Sequence, residues 1–353
     1  MSVSRCLFLF LSALLLLTTE RSAQARNTET LRALILDGRN NHDWARTTPI
    51  LQETLEACGR FTVTVSTCPP GYPVRRPRET RDMTAEQKAE LAEAIKEWEV
   101  EMRAHEEAQK PAWEAWRPDF SACDVVINNY NGNDWPQEVK AAFVEFVKNG
   151  GAVVNIHAAN NCFSGWPEFN DMLGLGYRPP PFGKRLVIDP ESGQPREIPP
   201  GTETGKGARN GHGSKHEFLV VNRRRDHPIL ANLPAAWMHG KDELYHGQRG
   251  PAENLEILAS AWSDPKKGGS DFHEPVLWTV GYGGGRVVTT SLGHVWPEGQ
   301  DDTDSLDCVG FQTILARSAE WAATGKVTIP VPDGFPYAHR VSLSEPEKTA
   351  WDG

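Results

Sequence analysis

The sequence predicts an α/β fold in which helices flank a mostly parallel sheet. Three short apolar runs, at residues 31–36, 124–128 and 152–156, each lead into a polar loop, and the first two loops precede helical patterns. Strands that alternate with helices are typical of parallel sheets, because the connecting helices cover the faces of the sheet. A length of 353 residues fits one large domain of this kind or two small ones.

The first predicted helix follows the polar loop after the first apolar run. Thr48 and Pro49 begin it, and Leu51 and Leu55 fall on one face at helical spacing. The alternating pattern at residues 61–67 then predicts a second strand.

A long helix or helical pair is predicted at residues 83–116. Thr84 and Gln87 form a capping box at its start, because each side chain can bond the backbone N–H of the other residue. The segment is rich in charge and poor in Leu, so we expect an inserted element on the surface. Its charged stretch at 93–107 leaves open a scaffold role in which this face binds a partner protein.

The next strand at 124–128 and its helix complete a second repeat of the pattern. Pro136 begins that helix, and we expect its buried stripe to contain Val139, Phe143, Phe146 and Val147. In open parallel sheets, ligands bind outside the carboxyl ends of the strands. The polar loops 40–44, 129–133 and 157–161 all leave such ends, so we expect the functional site at this shared edge.

The second half of the chain is less regular. Residues 179–214 are rich in Gly, Pro and charge and show no periodicity, which predicts a long lid-like loop. Strand patterns at 276–282 and 285–291, joined by two glycines, predict a hairpin. Residues 311–324 predict a final helix, and residues 336–353 a polar C-terminal tail.

Residues 1–25 are identified as a secretory signal peptide. Arg5 supplies the positive start, residues 7–17 are apolar, and Ala23-Gln24-Ala25 is a small-x-small cleavage site. The apolar run is too short to span a bilayer, which needs about 20 residues. We therefore expect an exported protein, periplasmic or extracellular, with no membrane attachment after cleavage.

Composition excludes several partners. The chain has 37 basic and 47 acidic residues, a net charge of −10, which argues against nucleic acid. Five cysteines remain after the signal peptide, and an odd number at wide spacing is a poor disulfide framework. Neither a GxGxxG motif after the first strand nor a GxxxxGK[ST] motif occurs, so no dinucleotide or nucleoside triphosphate is indicated.

Five short motifs, in the expected order, resemble the trehalose-utilisation (ThuA-like) family over about residues 31–332. We therefore predict one domain at residues 27–335. The resemblance implies a flavodoxin-like sheet related to class I glutamine amidotransferases, and a link to sugar metabolism, including 3-keto disaccharides. The motifs are residues 40–44 (NNHDW), 150–159 (from Gly150-Gly151 to His157-Ala158-Ala159), 227–229 (HPI), 242–245 (DELY) and 285–294 (from Gly285-Arg286 to Gly293-His294).

Glutamine hydrolysis itself is disfavoured by the residues. An amidotransferase needs a thiolate at the sharp turn after a central strand. Here His157 stands at that turn, and Cys162 lies five positions later. The sequence thus predicts the fold of that superfamily without its reaction.

Three histidines at strand ends are the candidate chemical groups. We predict His157 as general acid/base, helped by His42 and His294, with Glu243 as its partner or as a ligand. Three imidazoles and a carboxylate would equally suit zinc or another borderline divalent ion, the only cofactor the sequence suggests. Hydrolysis, elimination and isomerisation next to a carbonyl all stay open. His212, in the lid-like loop, would reach this edge only if the loop folds over it.

Amides and aromatic rings at the same edge suit a small carbohydrate, which presents hydroxyl groups at its rim and C–H groups on its faces. An alternative is a non-catalytic carbohydrate-binding module that kept the fold without the nucleophilic cysteine. The predicted substrate-binding residues are Asn41, Trp44, Asn129, Tyr130, Asn160 and Asp242.

Overall fold

A computed structural model of the chain describes residues 30–202, 208–297, 302–345 and 347–352. One structural unit extends from Leu31 to the C-terminus. The predicted signal peptide, residues 1–25, lies outside the described residues. Among the residues that are described, no helix combines the length and apolar character needed to cross a membrane.

The first half of the unit alternates strands and helices, as predicted. In chain order its elements are β1 (Leu31–Asp37), α1 (Trp44–Ala57), β2 (Phe61–Thr67), α2 (Ala85–Ala115), β3 (Val125–Asn128), α3 (Gln137–Lys148), β4 (Ala152–Ile156) and α4 (Pro167–Leu173).

The second half consists mainly of strands, and two helices follow them. These elements are β5 (Lys184–Ile188), β6 (Pro195–Ile198), β7 (His216–Asn222), β8 (Ala236–Asp242), β9 (Arg249–Gly250), β10 (Leu255–Trp262), β11 (His273–Tyr282), β12 (Gly285–Thr290), α5 (Asp304–Asp307) and α6 (Val309–Thr324).

The described strands form one sheet in the order β2-β1-β3-β4-β12-β11-β10-β7-β8. The five strands from β2 to β12 are parallel, which confirms the predicted flavodoxin-like part of the sheet. The pairs from β12 to β8 are antiparallel. The predicted hairpin of β11 and β12 is the point where the direction changes, because a two-residue turn can only join antiparallel strands.

Two hydrophobic clusters cover the two faces of the parallel part. Successive residues of β4 point to opposite faces, so Val154 packs in one cluster and Val153 in the other. The first cluster includes Leu51 of α1 and Phe311 of α6. The second includes Phe143 of α3, with Trp135 and Trp166 among its aromatic rings.

The segment predicted as a long lid-like loop, 179–214, contains two strands. β5 and β6 pair antiparallel, and Ile188 of β5 also pairs with His273 of β11, so the segment extends the sheet. The prediction of an irregular loop was wrong here, because both strands are short and charged and show little apolar alternation. Residues 203–207 within this segment lie outside the described residues.

The long helix and the tail both belong to this unit. α2 begins with the predicted capping box between Thr84 and Gln87, and none of its residues is fully buried. In the segment predicted as a polar tail, Leu343 pairs with Cys308 and Trp351 packs against the first cluster.

Candidate metal centre

The predicted histidines meet at the carboxyl edge of the parallel strands. His42 follows β1, His157 follows β4 and His294 follows β12. The centroid of the His42 ring lies 4.8 Å from those of His157 and His294, which are 5.3 Å from each other. Glu243, directly after β8, completes a group whose ligand atoms all lie within 4.8 Å of one another.

Asp242 brings the end of β8 to this edge. Its Oδ2 accepts the backbone N–H of Gly293 at 2.8 Å, and its Oδ1 accepts that of His294 at 3.1 Å. Oδ1 also accepts the N–H of Glu243 at 2.7 Å. One buried carboxylate therefore fixes the backbone of two candidate ligands from different strands.

The backbone at His157 is strained. Its φ is +42°, a left-handed conformation that a residue with a Cβ rarely adopts and that costs about 1–3 kcal/mol. The turn is held on its far side by the guanidinium of Arg178, which donates to the carbonyls of Asn160, Asn161 and Cys162. This geometry places His157 at a sharp turn directly after β4.

Hydrogen bonds fix the orientation of two imidazoles. His157 Nδ1 lies 2.6 Å from the carbonyl oxygen of Ser291, which can only accept, so Nδ1 carries the proton. His42 Nδ1 lies 3.3 Å from Asn40 Oδ1, another acceptor. The Nε2 lone pairs of both rings are therefore directed into the cluster, and neither atom has a hydrogen-bond partner within the described part of the chain.

Burial keeps these imidazoles neutral. It lowers the pKa of His42, and the neighbouring His157 and His294 lower it further. It also lowers the pKa of His157, although Asp242 opposes this shift, and the pKa of His294, where His157 adds to the effect. Neutral imidazole is the form that binds metal ions.

The carboxylate of Glu243 lies between two histidines. Its Oε1 lies 3.4 Å from His294 Nε2 and 3.2 Å from His212 Nδ1. His212 thus reaches the cluster from the segment that we predicted as a lid, and its side chain is 34% exposed. His212 is therefore a partly exposed neighbour of the buried cluster.

Two aromatic rings border the cluster. Trp296, whose exposure is 41%, stacks on His42 with centroids 4.9 Å apart. Tyr245 is buried, and its ring lies 4.5 Å from that of His157. Sequence reasoning did not select Trp296. Its position two residues after His294 was the signal that could have found it.

Three of the predicted substrate-binding residues contact other residues of the protein and do not face an open site. Asn129 donates to the hydroxyls of Thr47 and Thr48, and Asn160 donates to Gln248. Tyr130 is fully buried and stacks on Phe163 in the second cluster, so no face of its ring is open to a sugar. Asp242 is buried as described above, whereas Asn41 and Trp44 line a separate pocket.

Cys162 does not supply the missing nucleophile. Its Sγ is buried and donates to the carbonyl of Tyr130 at 2.9 Å, and burial raises the pKa of the thiol. A thiol in such surroundings is inert.

Comparisons with known proteins agree with this architecture. The family model described as "ThuA: Trehalose utilisation" matches residues 77–322. A solved structure of a ThuA-like protein from Parabacteroides merdae is 34% identical with a TM-score of 0.71, over 89% of this chain and 98% of that chain. Another, from Bacteroides uniformis, is 17% identical with a TM-score of 0.48, over 86% of this chain and 96% of that chain. The search of curated proteins gives no match.

The family match spans most of the unit that carries the cluster. The glutamine amidotransferase-like fold of that family corresponds to the parallel strands described above, and its link to trehalose utilisation connects the chain with carbohydrates. The chain therefore belongs to the ThuA family.

Proposed function

We propose that this chain is an enzyme that binds a divalent metal ion, zinc being the first candidate, and acts on a small carbohydrate derivative. The observation that carries the proposal is the convergence of His42, His157, Glu243 and His294 within 4.8 Å. The connection of the family with trehalose utilisation supports a carbohydrate substrate.

The donor atoms fit a metal ion. A buried imidazole nitrogen without a hydrogen-bond partner costs about 1–3 kcal/mol, and the Nε2 atoms of His42 and His157 both have this environment. A cation at the centre of the cluster would accept both lone pairs. Their Nδ1 hydrogen bonds supply the outer contacts that usually orient metal-binding histidines.

The same features favour the metal-assisted reaction over direct acid/base catalysis by His157. A general acid must carry a proton at the working pH, but burial lowers the pKa of this imidazole. Its Nδ1 proton is engaged by the Ser291 carbonyl. His157 is therefore better suited to be a ligand, together with His42 and His294.

A bound divalent ion would supply Lewis acidity to a sugar carbonyl or hydroxyl oxygen and would lower the pKa of water. The chain supplies the base: Glu243 contributes the carboxylate of this cluster, and it can accept a proton from the substrate. His212 Nδ1, which donates to the carbonyl of Gly213 at 2.8 Å, lies 3.2 Å from Glu243 Oε1, and its partly exposed ring offers a route for the proton to solvent. Hydrolysis, elimination and isomerisation next to a carbonyl all use such a base.

Elemental analysis of the purified, untagged protein by inductively coupled plasma mass spectrometry tests the metal. We expect about one zinc or other transition metal per chain in the natural protein and a large loss in His157→Ala. His339→Gln, at an exposed histidine in the C-terminal segment, is the matched control and should keep the metal. A natural protein without metal, and unable to take up zinc, would contradict the proposal.

The low exposure of the cluster limits the access of a substrate to its side chains. This favours a second candidate, a non-catalytic carbohydrate-binding module. Of the four side chains, His42 is the most exposed at 6%. Long incubation with trehalose and its 3-keto derivative, followed by mass spectrometry, separates the two. Product supports the enzyme, whereas saturable binding without product supports the module.

We also propose that the protein is exported. Residues 1–25 carry the features of a signal peptide given above. N-terminal sequencing of protein from the native host should find a mature chain that begins after Ala25. A chain that retains residues 1–25 would contradict export by this route.

A further inference from the structure

A concave site lies among the later strands of the sheet. It is a cavity of about 410 Å³, within the size range of small-molecule sites. One wall is the hairpin of β5 and β6, and the other consists of the start of β10 and the residues directly after β7. No residue of the metal centre lines this β5–β10 cavity, so the two sites are separate.

Much of the lining of the β5–β10 cavity is aliphatic. Ile188 and Ile257 are buried, and Leu186 and Leu255 pack against the second hydrophobic cluster. The apolar lining is therefore continuous with the core of the protein. A ligand with an apolar body would remove this surface from water, which is favourable roughly in proportion to the area covered.

One cation lines the cavity without a carboxylate partner. Arg223 forms no ion pair with any residue that the structure describes, and neither its Nη1 nor its Nη2 has a hydrogen-bond partner there. The other charged residues of the lining, Arg224 and Glu256, pair with each other. Burial lowers the pKa of Arg223, because it removes water from the guanidinium. A partly desolvated guanidinium of this kind favours an anionic ligand.

The guanidinium of Arg223 is held in place. Its Nε donates to Ser260 Oγ at 2.8 Å, and the backbone N–H of the same residue donates to Leu258 O at 2.7 Å. Nη1 lies near the β5–β6 turn, since a Cβ on Gly193 would be 3.9 Å from it. With Nε engaged, the two terminal nitrogens are left to bind the two oxygens of a carboxylate.

The β5–β6 turn is also ordered by its own hydrogen bonds. Asp189 Oδ1 accepts the backbone N–H of Ser192 at 2.9 Å, and the N–H of Gly193 donates to Asp189 O at 2.9 Å. Gln194, the next residue, is exposed and lines the cavity, so its amide can donate to the same anion. A cavity that is built in advance lowers the entropic cost of binding.

We propose that the β5–β10 cavity binds a small monocarboxylate with an apolar body, a medium-chain fatty acid or an arylalkanoate. The carboxylate pairs with Arg223, and the apolar body covers Leu186, Leu255 and Ile257. A neutral sugar would leave both the charge and the aliphatic lining without a partner. The inference goes beyond the proposed function and does not depend on it, because the cavity shares no residue with the metal centre.

Titration calorimetry of the purified full chain with octanoate and with phenylbutyrate tests the proposal and distinguishes the two kinds of apolar body. We expect saturable binding of at least one of them, with a Kd below about 1 mM. Acetate keeps only the charge, whereas octanol and phenylbutanol keep only the apolar body. All three should bind at least about tenfold more weakly than the better carboxylate.

Three substitutions locate the binding. Arg223→Gln should weaken carboxylate binding at least about tenfold, because the amide lacks the charge. Gln194→Glu adds a negative charge to the same lining at an exposed position, so the variant should fold normally and bind at least about threefold more weakly. Arg225→Gln, at an exposed arginine that does not line the cavity, is the matched control and should keep the affinity of the natural protein.

Circular dichroism of each variant establishes that it folds. Weaker binding in Arg223→Gln and Gln194→Glu, with Arg225→Gln unchanged, supports the site. If Arg223→Gln does not fold, Gln194→Glu and the comparison of carboxylates with alcohols decide. The proposal is overturned by no saturable binding of either carboxylate, by equal affinities for carboxylates and alcohols, by an equal loss in Arg225→Gln, or by unchanged affinity in the folded variants of the lining.

Discussion

Asp242 holds the backbone of His294: its Oδ1 accepts the His294 N–H at 3.1 Å, although the two residues lie 52 positions apart. Its Oδ2 accepts from His239 Nε2 at 2.8 Å. Burial by itself would lower the pKa of His239, but this hydrogen bond and the contact with Cys308 raise it to about 9. This buried pair anchors the carboxylate that accepts from the backbone of Glu243 and His294.

Asp242→Asn tests this support. The substitution removes the charge and leaves one oxygen for four donors, so we expect the free energy of unfolding to fall by about 3 kcal/mol or more. Urea denaturation measures the change. Asp226→Asn breaks an exposed ion pair with Arg224 and should cost at most about 1 kcal/mol. Equal effects of the two substitutions would show that Asp242 has no special structural role.

Glu243→Gln tests whether Glu243 acts as the catalytic base or as a fourth metal ligand. If the three histidines hold the metal and Glu243 accepts the proton, the variant keeps its metal and loses turnover by about 10²- to 10⁴-fold. We expect this outcome, with turnover followed by mass spectrometry of trehalose-derived products. The amide keeps the size of the side chain, so packing should change little. Loss of metal together with turnover would instead make Glu243 the fourth ligand.

The metal-free protein should lose stability in mild acid. Burial lowers the pKa values of His42, His157 and His294 in the folded protein, whereas the unfolded chain titrates near pH 6.5. Below that pH the unfolded chain binds more protons than the folded protein, so stability is present above about pH 6.5 and falls as the pH falls. The slope approaches about 1.4 kcal/mol per pH unit for each histidine.

Urea unfolding of the chelator-treated protein between about pH 7 and pH 5 measures this slope. Glutamine does not titrate, so His157→Gln should reduce the slope of stability against pH by the contribution of one histidine. The window stays above the range in which Asp242 titrates, because its pKa is lowered in the folded protein. A stability that does not change over this window would contradict the buried, neutral state of the three rings.

The parallel strands and the convergence of the histidines could be predicted from the sequence for one physical reason. His42 and His157 follow apolar runs, and the carboxyl ends of neighbouring parallel strands meet at one edge. Glu243 reaches this edge through an antiparallel strand and through hydrogen bonds of Asp242, which no local pattern encodes. The two strands of segment 179–214 were missed because they show no clear alternation of apolar and polar residues. Pairing with neighbouring strands stabilises them instead.

Side-chain direction was the harder part of the site. Tyr130 follows a strand end just as His157 does, yet its ring points into the aromatic cluster around Phe163. Strand position fixes where a residue lies, but packing against distant residues fixes where its side chain points. Trp98 was missed for a different reason. Its helix has few apolar residues, so the sequence pattern predicted only a surface element, whereas Trp98 lines a pocket.

Asn40 should tune the metal affinity without touching the metal. Its Oδ1 accepts from His42 at both the backbone N–H and Nδ1, which keeps the Nε2 lone pair directed at the cluster. Asn40→Ala removes this acceptor, and loss of such an outer contact typically weakens metal binding by about 10- to 100-fold. Asn40→Asp keeps the acceptor oxygen and should retain the affinity of the natural protein. Competition with a zinc chelator measures both constants. If the alanine and aspartate variants bind zinc equally well, the ring of His42 is oriented by packing alone, with Trp296 as the stacking partner.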